Sequence, residues 1–295
     1  QAADMDANRD VDYNTRRTGN PAADRFFFDY YHQESENRDL FARANIPLGE
    51  GTLEVRPYYA SEEATLRDGT RDRLRDLDRY GVVGEYRGRA GPVRLTAGYW
   101  LESANLEKSM RAMGITAAGR DYAGRWLYLA ENDGRGSIHS PYAQVGQTRG
   151  RLRWQAGIKC FRYTEPESIA YRSGPGTGTP AGWEAAWDNN GGRDPALSLE
   201  SFTFDAWLPS IGASWLLDPA GTAEVYANYG RNYMRPYAFV PVTTIYARNR
   251  AAFQGAGLAL QDVFDAWEME TSDHVDVGLR WARDGLELSP TAFYA

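Results

Sequence analysis

The sequence predicts an all-β protein that forms part of an antiparallel, up-and-down transmembrane β-barrel. Three observations lead to this prediction. Stretches of alternating polar and apolar side chains recur along the whole chain. Short turns alternate with long loops, and aromatic residues collect at both ends of the apolar rows. Barrels of bacterial outer membranes combine these features because each strand faces lipid on one side and the barrel interior on the other.

The hairpin at residues 208–230 shows the pattern most clearly. Ile211, Ala213 and Trp215 form one apolar row, whereas small polar residues occupy the positions between them. The turn sequence DPAG follows, and the alternation restarts with Val225 and Ala227. Similar alternation predicts about eleven strands and a possible twelfth near 10–16. The eleven are 24–31, 40–46, 52–62, 79–88, 93–103, 139–148, 152–163, 209–217, 222–230, 272–282 and 286–295.

The connections between these strands fall into two length classes. Short turns rich in Gly, Pro and Asp occupy 47–51, 89–92, 149–151, 218–221 and 283–285. Long loops occupy 63–78, 104–138, 164–208 and 231–271. Because the two classes alternate, every short turn lies at one end of the sheet, which predicts short periplasmic turns and long extracellular loops.

The outward-facing aromatic residues provide an independent test of this orientation. In a membrane barrel they collect where strands cross the headgroup regions. Tyr86, Trp154, Trp215 and Trp281 are predicted at the interface beside the short turns. Tyr59, Tyr99, Tyr229 and Tyr294 are predicted at the interface beside the long loops. The opposite row is rich in charged and amide side chains, which suits a water-filled lumen.

Composition argues against several other functions. The net charge is −7 and no Lys/Arg run appears, so we predict no nucleic-acid partner. Cys160 is the only cysteine, which rules out a disulfide framework, and His32, His139 and His274 lie far apart, so we predict no metal site and no cofactor. Ser137 and His139 match no nucleophile motif, so we predict that the chain is not an enzyme.

Three loop segments contain patterns that only weakly indicate a ligand site or a helix. The sequence DNNGGRD at 188–194 lacks the spacing of a calcium loop and is interpreted as a flexible surface turn. SGPGTGTP at 173–180 lacks the context of a phosphate-binding loop. Residues 249–267 place Phe253, Leu260, Phe264 and Trp267 at helical spacing, with Asn249 as a possible cap. They predict a short amphipathic helix in the long loop that packs over the barrel mouth or touches ligand, with packing favoured.

Three hairpins resemble those of a known family. LPSIGASWLLDPAGTAEVYANYGRNYMRPY at 208–237 resembles a late-barrel hairpin of TonB-dependent outer-membrane receptors. ETSDHVDVGLRWARDGLELSPTAFYA at 270–295 is similar to the next hairpin of that family, and SPYAQVGQTRGRLRWQAGIKCFRYTEPE at 140–167 is similar to an earlier one. The resemblance implies a barrel of about 22 strands with a plugged lumen, located in the outer membrane of a Gram-negative bacterium.

The resemblance also implies a function. Such receptors import scarce nutrients, and the expected ligand is a ferric siderophore. The expected partners are the inner-membrane TonB complex, which acts through the plug, the iron-siderophore ligand and outer-membrane lipid. Residues 1–295 are expected to form one partial barrel domain, about half of the whole barrel, without the plug domain.

Family members hold ligand with the plug's upper surface, the upper lumenal wall and the loops. On the predicted strand directions, eight lumenal residues lie nearest the outside, and they are the candidate ligand-binding residues: Trp100, Glu102, Phe161, Tyr163, Asn228, Asn232, His274 and Asp276. Aromatic and hydrogen-bonding groups of this kind suit a bulky polar chelate or a sugar. The alternatives are a passive porin-like channel, a barrel-based surface enzyme or adhesin, and a soluble β protein.

Overall fold

The computed structural model describes residues 2–5, 32–68, 71–113, 126–172, 187–188, 190–234 and 239–295. These residues form one antiparallel sheet and three short helices. The strands are β1 (Ala2–Met5), β2 (His32–Phe41), β3 (Ala44–Leu48), β4 (Gly51–Asp68), β5 (Arg71–Ala90), β6 (Val93–Met113), β7 (Trp126–Asp133), β8 (Gly136–Arg149), β9 (Leu152–Glu165), β10 (Glu167–Ala170), β11 (Phe202–Leu216), β12 (Ala223–Met234), β13 (Glu270–Arg283), β14 (Leu286–Leu288) and β15 (Thr291–Tyr294).

The sheet follows the chain order with one excursion. Its path runs β1-β2-β4-β5-β6-β8-β9-β11-β12-β13-β14, with β3 on β4 and β15 on β13. Strand β7 instead pairs with the upper end of β6 and with β10, so β6 continues directly to β8 and β9 directly to β11. This up-and-down antiparallel order confirms the predicted fold class.

The two faces of the sheet differ as the alternation predicts. Most of the exposed large apolar side chains of the sheet lie on one face, including Ile158, Ile211 and Val277; Phe41 and Phe293 are exceptions. We call this the outer face. The opposite, lumenal face carries Glu54, Arg56, Lys159 and Asp276. Large apolar side chains exposed on a continuous face require an apolar surrounding, because water would make this exposure unfavourable. The outer face therefore has the character of a lipid-facing surface.

The aromatic residues predicted at the membrane interface share this outer face. Tyr59, Tyr99, Trp215 and Tyr294 are exposed there. Tyr86, Trp154, Tyr229 and Trp281 occupy the same alternating rows and are partly exposed. Their contact with lipid headgroups remains a prediction.

The predicted short turns are all present. Each contains a glycine with positive φ: Gly49, Gly91, Gly150, Gly221 and Gly285. This left-handed conformation carries little cost for glycine, which explains why the residue recurs at one end of the sheet.

The predicted long loops were partly wrong, because several strands extend beyond the apolar rows. Strands β4 and β5 cover most of the predicted loop 63–78 and reach Asp68 and Arg71. Their upper parts are highly charged, yet opposite charges meet across the ladder, as in the ion pair between Glu62 and Arg75. Such cross-strand pairs stabilise a hairpin in water, so the strands continue where the apolar pattern stops.

Strand β11 also begins earlier than the predicted residue 209. It starts at Phe202 and passes through Pro209. Proline cannot donate a ladder hydrogen bond, so a sheet tolerates it mainly where the strand lacks a partner on one side. In the structure the register to β12 begins at Ser210, so Pro209 lies where β11 faces a partner only on the β9 side.

Two predicted strands are interrupted, and two cannot be compared. Strand 40–46 is split at Ala42 and Arg43, and strand 286–295 is split at Ser289 and Pro290. The predicted strands at 10–16 and 24–31 lie outside the described residues.

Three helices lie in the connection between β12 and β13: α1 (Phe239–Arg248), α2 (Arg250–Gly255) and α3 (Leu260–Asp265). The single helix predicted over 249–267 was wrong, because Gly257 adopts a φ of 73° and separates α2 from α3. Asn249 precedes α2 but makes no side-chain cap; its amide donates to the carbonyl of Ile245. Among the described residues, no helix is long and apolar enough to cross a membrane.

These helices pack with β7, β10 and residues 193–201 into what we call the extracellular layer. Its buried core contains Ala130, Ala170, Leu197, Leu199, Tyr246, Leu260 and Phe264, with Phe253 and Trp267 packed against it. The packing role predicted for the apolar residues of 249–267 is therefore present. Asp194 is buried and pairs with Arg250 of α2, so the interpretation of 188–194 as a flexible surface turn was wrong at this residue.

Candidate functional site

The upper lumenal wall carries a compact group of aromatic side chains around one lysine. We define the lumenal cluster as Tyr58, Trp100, Lys159, Phe161 and Tyr233. The rings of Phe161 and Tyr233 stack with their centroids 4.3 Å apart, and Trp100 lies 6.1 Å from Phe161. Phe161 is only 1% exposed, and it packs on Ile138, Ala206 and Leu208. The cluster is thus anchored at its base while its other members reach the lumenal surface.

A hydrogen-bond chain fixes the indole of Trp100. Its Nε1 donates to the hydroxyl of Tyr58 at 2.8 Å, and that hydroxyl donates to the carboxylate of Glu102. Trp100 and Glu102 stand on the same face of β6, whereas Tyr58 reaches them from β4 across the intervening β5. Gly81 of β5 makes this reach possible, because a Cβ there would lie 2.5 Å from the ring of Tyr58.

We expect Gly81→Ala to lower the free energy of unfolding by about 1–3 kcal/mol, the usual cost of overpacking. The new methyl group would displace Tyr58 and break its contacts with Trp100 and Glu102. Urea titration and near-ultraviolet circular dichroism would measure both effects. Gly84→Ala on the same strand is the matched control, since a Cβ there meets nothing within 4 Å. Equal effects of the two substitutions would contradict this account of Gly81.

Lys159 is the charged member of the lumenal cluster. Its Nζ lies 5.7 Å from the ring centre of Trp100 and 6.0 Å from that of Tyr233, within the range of cation–π attraction. Its cross-strand neighbours are Tyr142 and Leu208. Within the part of the chain that the structure describes, Lys159 forms no ion pair.

A polar groove lies beside the cluster on the lumenal wall. It has a volume of about 460 Å³, and its lining includes Asn228, Asn232, His274 and Asp276. The amide nitrogen of Asn232 lies 3.4 Å from Nδ1 of His274. Gly230, opposite His274 on β12, leaves room for the imidazole, because a Cβ there would lie 2.7 Å from the ring. The groove thus offers both hydrogen-bond donors and acceptors.

The structure brings together the eight predicted ligand-binding residues in two neighbouring groups. Trp100 and Phe161 belong to the lumenal cluster, with Glu102 bonded to it and Tyr163 packed against its base. Asn228, Asn232, His274 and Asp276 line the groove. Whether these residues contact ligand remains a prediction.

Sequence reasoning missed Tyr58, Lys159 and Tyr233. The alternation places Lys159 and Tyr58 on the lumenal row. The spacing of these residues along the chain does not show that their side chains contact Trp100. Strict alternation places Tyr233 on the outer face with Tyr229. The hydrogen-bonded ladder between β11 and β12 begins at the pair Ser210–Gly230 and continues from there towards the short turn. The upper end of β12 is therefore not held by β11, and Tyr233 packs on Phe161.

The lower lumenal wall is lined by ion pairs. Glu54 accepts from Arg43 and Arg56, Glu85 pairs with Arg87, and Glu224 pairs with Arg280. Tyr142 also donates to Glu85. In the described residues no group of three or more His, Cys, Asp or Glu side chains is arranged to hold a metal ion. His139 lies on the outer face, where its Nδ1 is 2.6 Å from the hydroxyl of Tyr99, so it takes no part in the lumenal site.

The extracellular layer has its own polar anchors. Arg250 binds Asp194, and the hydroxyl of Tyr171 donates to Glu131. Burial, with a further contribution from this hydrogen bond, raises the pKa of Tyr171 to about 12. The phenol is a protonated donor at neutral pH, as an ordinary tyrosine is, and the raised pKa extends this into alkaline solution. Tyr171 thereby holds the connection after β10 to β7.

Comparison with known proteins identifies the family. A family model described as TonB dependent receptor-like, beta-barrel matches residues 2–295. The chain belongs to the TonB-dependent receptor β-barrel family. This family consists of outer-membrane receptors rather than enzymes, which agrees with the resemblance of the three hairpins. No curated protein sequence matches the chain.

Solved structures show the same fold as this receptor barrel. The ferric citrate transporter FecA matches with a TM-score of 0.58 and 16% identity, over 90% of this chain and 35% of FecA. The siderophore receptor PiuA from Acinetobacter baumannii matches with 0.56 and 12% identity, over 90% and 41%. The ferric yersiniabactin uptake receptor FyuA from Yersinia pestis matches with 0.54 and 12% identity, over 89% and 36%. The chain therefore spans little more than a third of each neighbour's length.

Proposed function

We propose that this receptor barrel takes part in TonB-dependent uptake of a ferric siderophore across the outer membrane. The lumenal cluster and the polar groove would hold the ligand before it passes inward. Residues 1–295 would form one partial barrel domain, and a plug outside this segment would make the contact with the inner-membrane TonB complex. The outer face would contact outer-membrane lipid.

The observation that carries the proposal is the position of the lumenal cluster beside the groove. Ligand sites combine apolar and aromatic walls with a few placed polar groups. Here Trp100 and Tyr233 pack against a core that contains Leu208, and Leu208 also lines the groove with Asn232 and His274. A ferric siderophore is a large chelate with flat or apolar parts around a polar centre, so it needs both kinds of contact. The names of FecA, PiuA and FyuA, which refer to ferric citrate, a siderophore and ferric yersiniabactin, support a ferric chelate as the ligand class.

The test is ligand binding and uptake by the full-length protein. Trp100→Ala should weaken the binding of a ferric siderophore by about tenfold, because truncation of a central aromatic contact costs roughly 1–3 kcal/mol. Trp207→Ala is the matched control: Trp207 lies on the outer face and is 62% exposed. Uptake of radiolabelled iron in cells with and without TonB would complete the test. Uptake that persists without TonB would favour a passive channel over an energised receptor.

A further inference from the structure

We infer that the ligand of this receptor barrel is anionic, and that Lys159 is the residue that recognises its charge. The inference rests on the proposed function and adds the ligand's charge to it. Two separate features of the lumenal wall lead to it: the surroundings of Lys159 in the upper half and the burial of the carboxylates in the lower half.

The first feature is a cation, Lys159, that forms no ion pair with any of the residues that the structure describes. Lys159 is one of only two lysines in the chain, and it lies half-buried between Trp100 and Tyr233. Across the ladder it faces Tyr142 and Leu208, neither of which is negatively charged. Glu102, which is hydrogen-bonded to the cluster, accepts from the hydroxyl of Tyr58. Holding a partly desolvated ammonium group without an anion is unfavourable, and an anionic ligand would relieve this cost.

The second feature is a consistent asymmetry of the ion pairs on the lower wall. The side chains of Glu54, Glu85 and Glu224 are 7%, 12% and 18% exposed. Their partners Arg43, Arg87 and Arg280 are 60%, 60% and 58% exposed. Each pair therefore covers its carboxylate and presents its guanidinium to the lumen. Although the pairs are neutral as a whole, their positive ends form the surface that a passing ligand would meet.

Both features favour negative charge on the ligand. An anion would first meet the Lys159 ammonium in the upper wall and then a series of guanidinium groups towards the periplasmic turns. Guanidinium groups suit carboxylate and catecholate oxygens because they donate several hydrogen bonds in one plane. A neutral chelate would gain only the aromatic contacts of the lumenal cluster. The charge of the ligand should therefore determine how strongly it binds.

The experiment compares two ferric chelates with the full-length protein: a trianionic ferric tris-catecholate and an uncharged ferric tris-hydroxamate. Equilibrium binding is measured for the wild type, Lys159→Met, Lys159→Arg and Lys108→Met. Methionine keeps the apolar stem of lysine and removes its charge, and arginine keeps the charge. Lys108→Met is the matched control because it removes the other lysine of the chain, which lies on the upper part of β6.

We expect Lys159→Met to weaken the catecholate complex by about tenfold or more, the loss typical for removal of a charged hydrogen-bond donor. Binding of the hydroxamate should stay within about twofold. Lys159→Arg, which keeps the charge, should recover part of the catecholate affinity that Lys159→Met loses. Lys108→Met should bind the catecholate like the wild type, whose affinity for it should fall as salt is added.

Three results would overturn the inference alone. The first is unchanged catecholate binding by Lys159→Met, and the second is an equal loss for both chelates, which would show that Lys159 acts only by packing. Tighter binding of the hydroxamate than of the catecholate by the wild type would also overturn it. If the folded wild type binds neither chelate, the result contradicts the proposed function and therefore also the inference that rests on it.

Discussion

Ile211→Arg is expected to lower the free energy of unfolding by about 2–4 kcal/mol, the cost of a basic side chain at the midplane of a membrane barrel. Ile211 is 57% exposed on the outer face of β11. It lies halfway between Trp207 and Trp215, which are about 26 Å apart along the strand. This span is comparable with the apolar band of a membrane barrel, so the arginine would enter the centre of the lipid layer.

The control for this substitution is its neighbour on the same strand. Ser210→Arg adds the same side chain to the lumenal face, where the guanidinium can remain hydrated, and it should be nearly neutral for folding. Urea titration of the full-length protein in phospholipid vesicles would measure both variants. Similar losses for the two variants would show that the outer face does not contact lipid.

Phe264→Ala is expected to destabilise the extracellular layer by about 3–5 kcal/mol, the usual cost of removing a buried phenylalanine side chain. Phe264 is 1% exposed and lies 4.3 Å from the ring of Trp267 and 5.9 Å from that of Phe202. It therefore joins α3 to the beginning of β11. Its loss should open the layer locally and leave the transmembrane ladder intact, because the ladder's hydrogen bonds do not depend on this core.

Hydrogen exchange resolved by peptide would distinguish the two regions. Residues 239–267 and 194–201 should lose protection in Phe264→Ala, and the peptides of β12 and β13 should keep it. Leu258→Ala is the matched control in the same connection, since Leu258 is 45% exposed. Loss of protection throughout the sheet would mean that the extracellular layer and the barrel fold as one cooperative unit.

The alternation of the sequence predicted the faces and the centres of the strands well. It works there because lipid on one side and the lumen on the other impose opposite requirements on successive residues. It failed above the membrane boundary, where both faces of β4 and β5 meet water. Pairs such as Glu62 and Arg75 hold those strands together, and a charged sequence without apolar alternation resembles a loop.

The sequence predicted where the residues of the candidate site lie, but it did not predict which of their side chains contact each other. Strand direction alone places Trp100 and His274 high on the lumenal wall. The approach of Tyr58 to Trp100 depends on the register of β4, β5 and β6 and on the missing side chain of Gly81. The position of Tyr233 depends on where the ladder of β11 and β12 ends. Neither the register nor the length of a ladder follows from the alternation of a single strand.

The ion pairs of the lower wall also affect how the sheet can be assembled. Arg56 and Glu54 are two residues apart on β4, and Arg87 and Glu85 are two residues apart on β5. Each of these carboxylates therefore has a counter-ion within its own strand, before any other hairpin is in place. The β4–β5 hairpin can enter a bilayer with these charges already compensated, at a lower electrostatic cost than separate ions would require. The charges of these four side chains are therefore compensated before the barrel closes, so their insertion into the membrane does not require closure first.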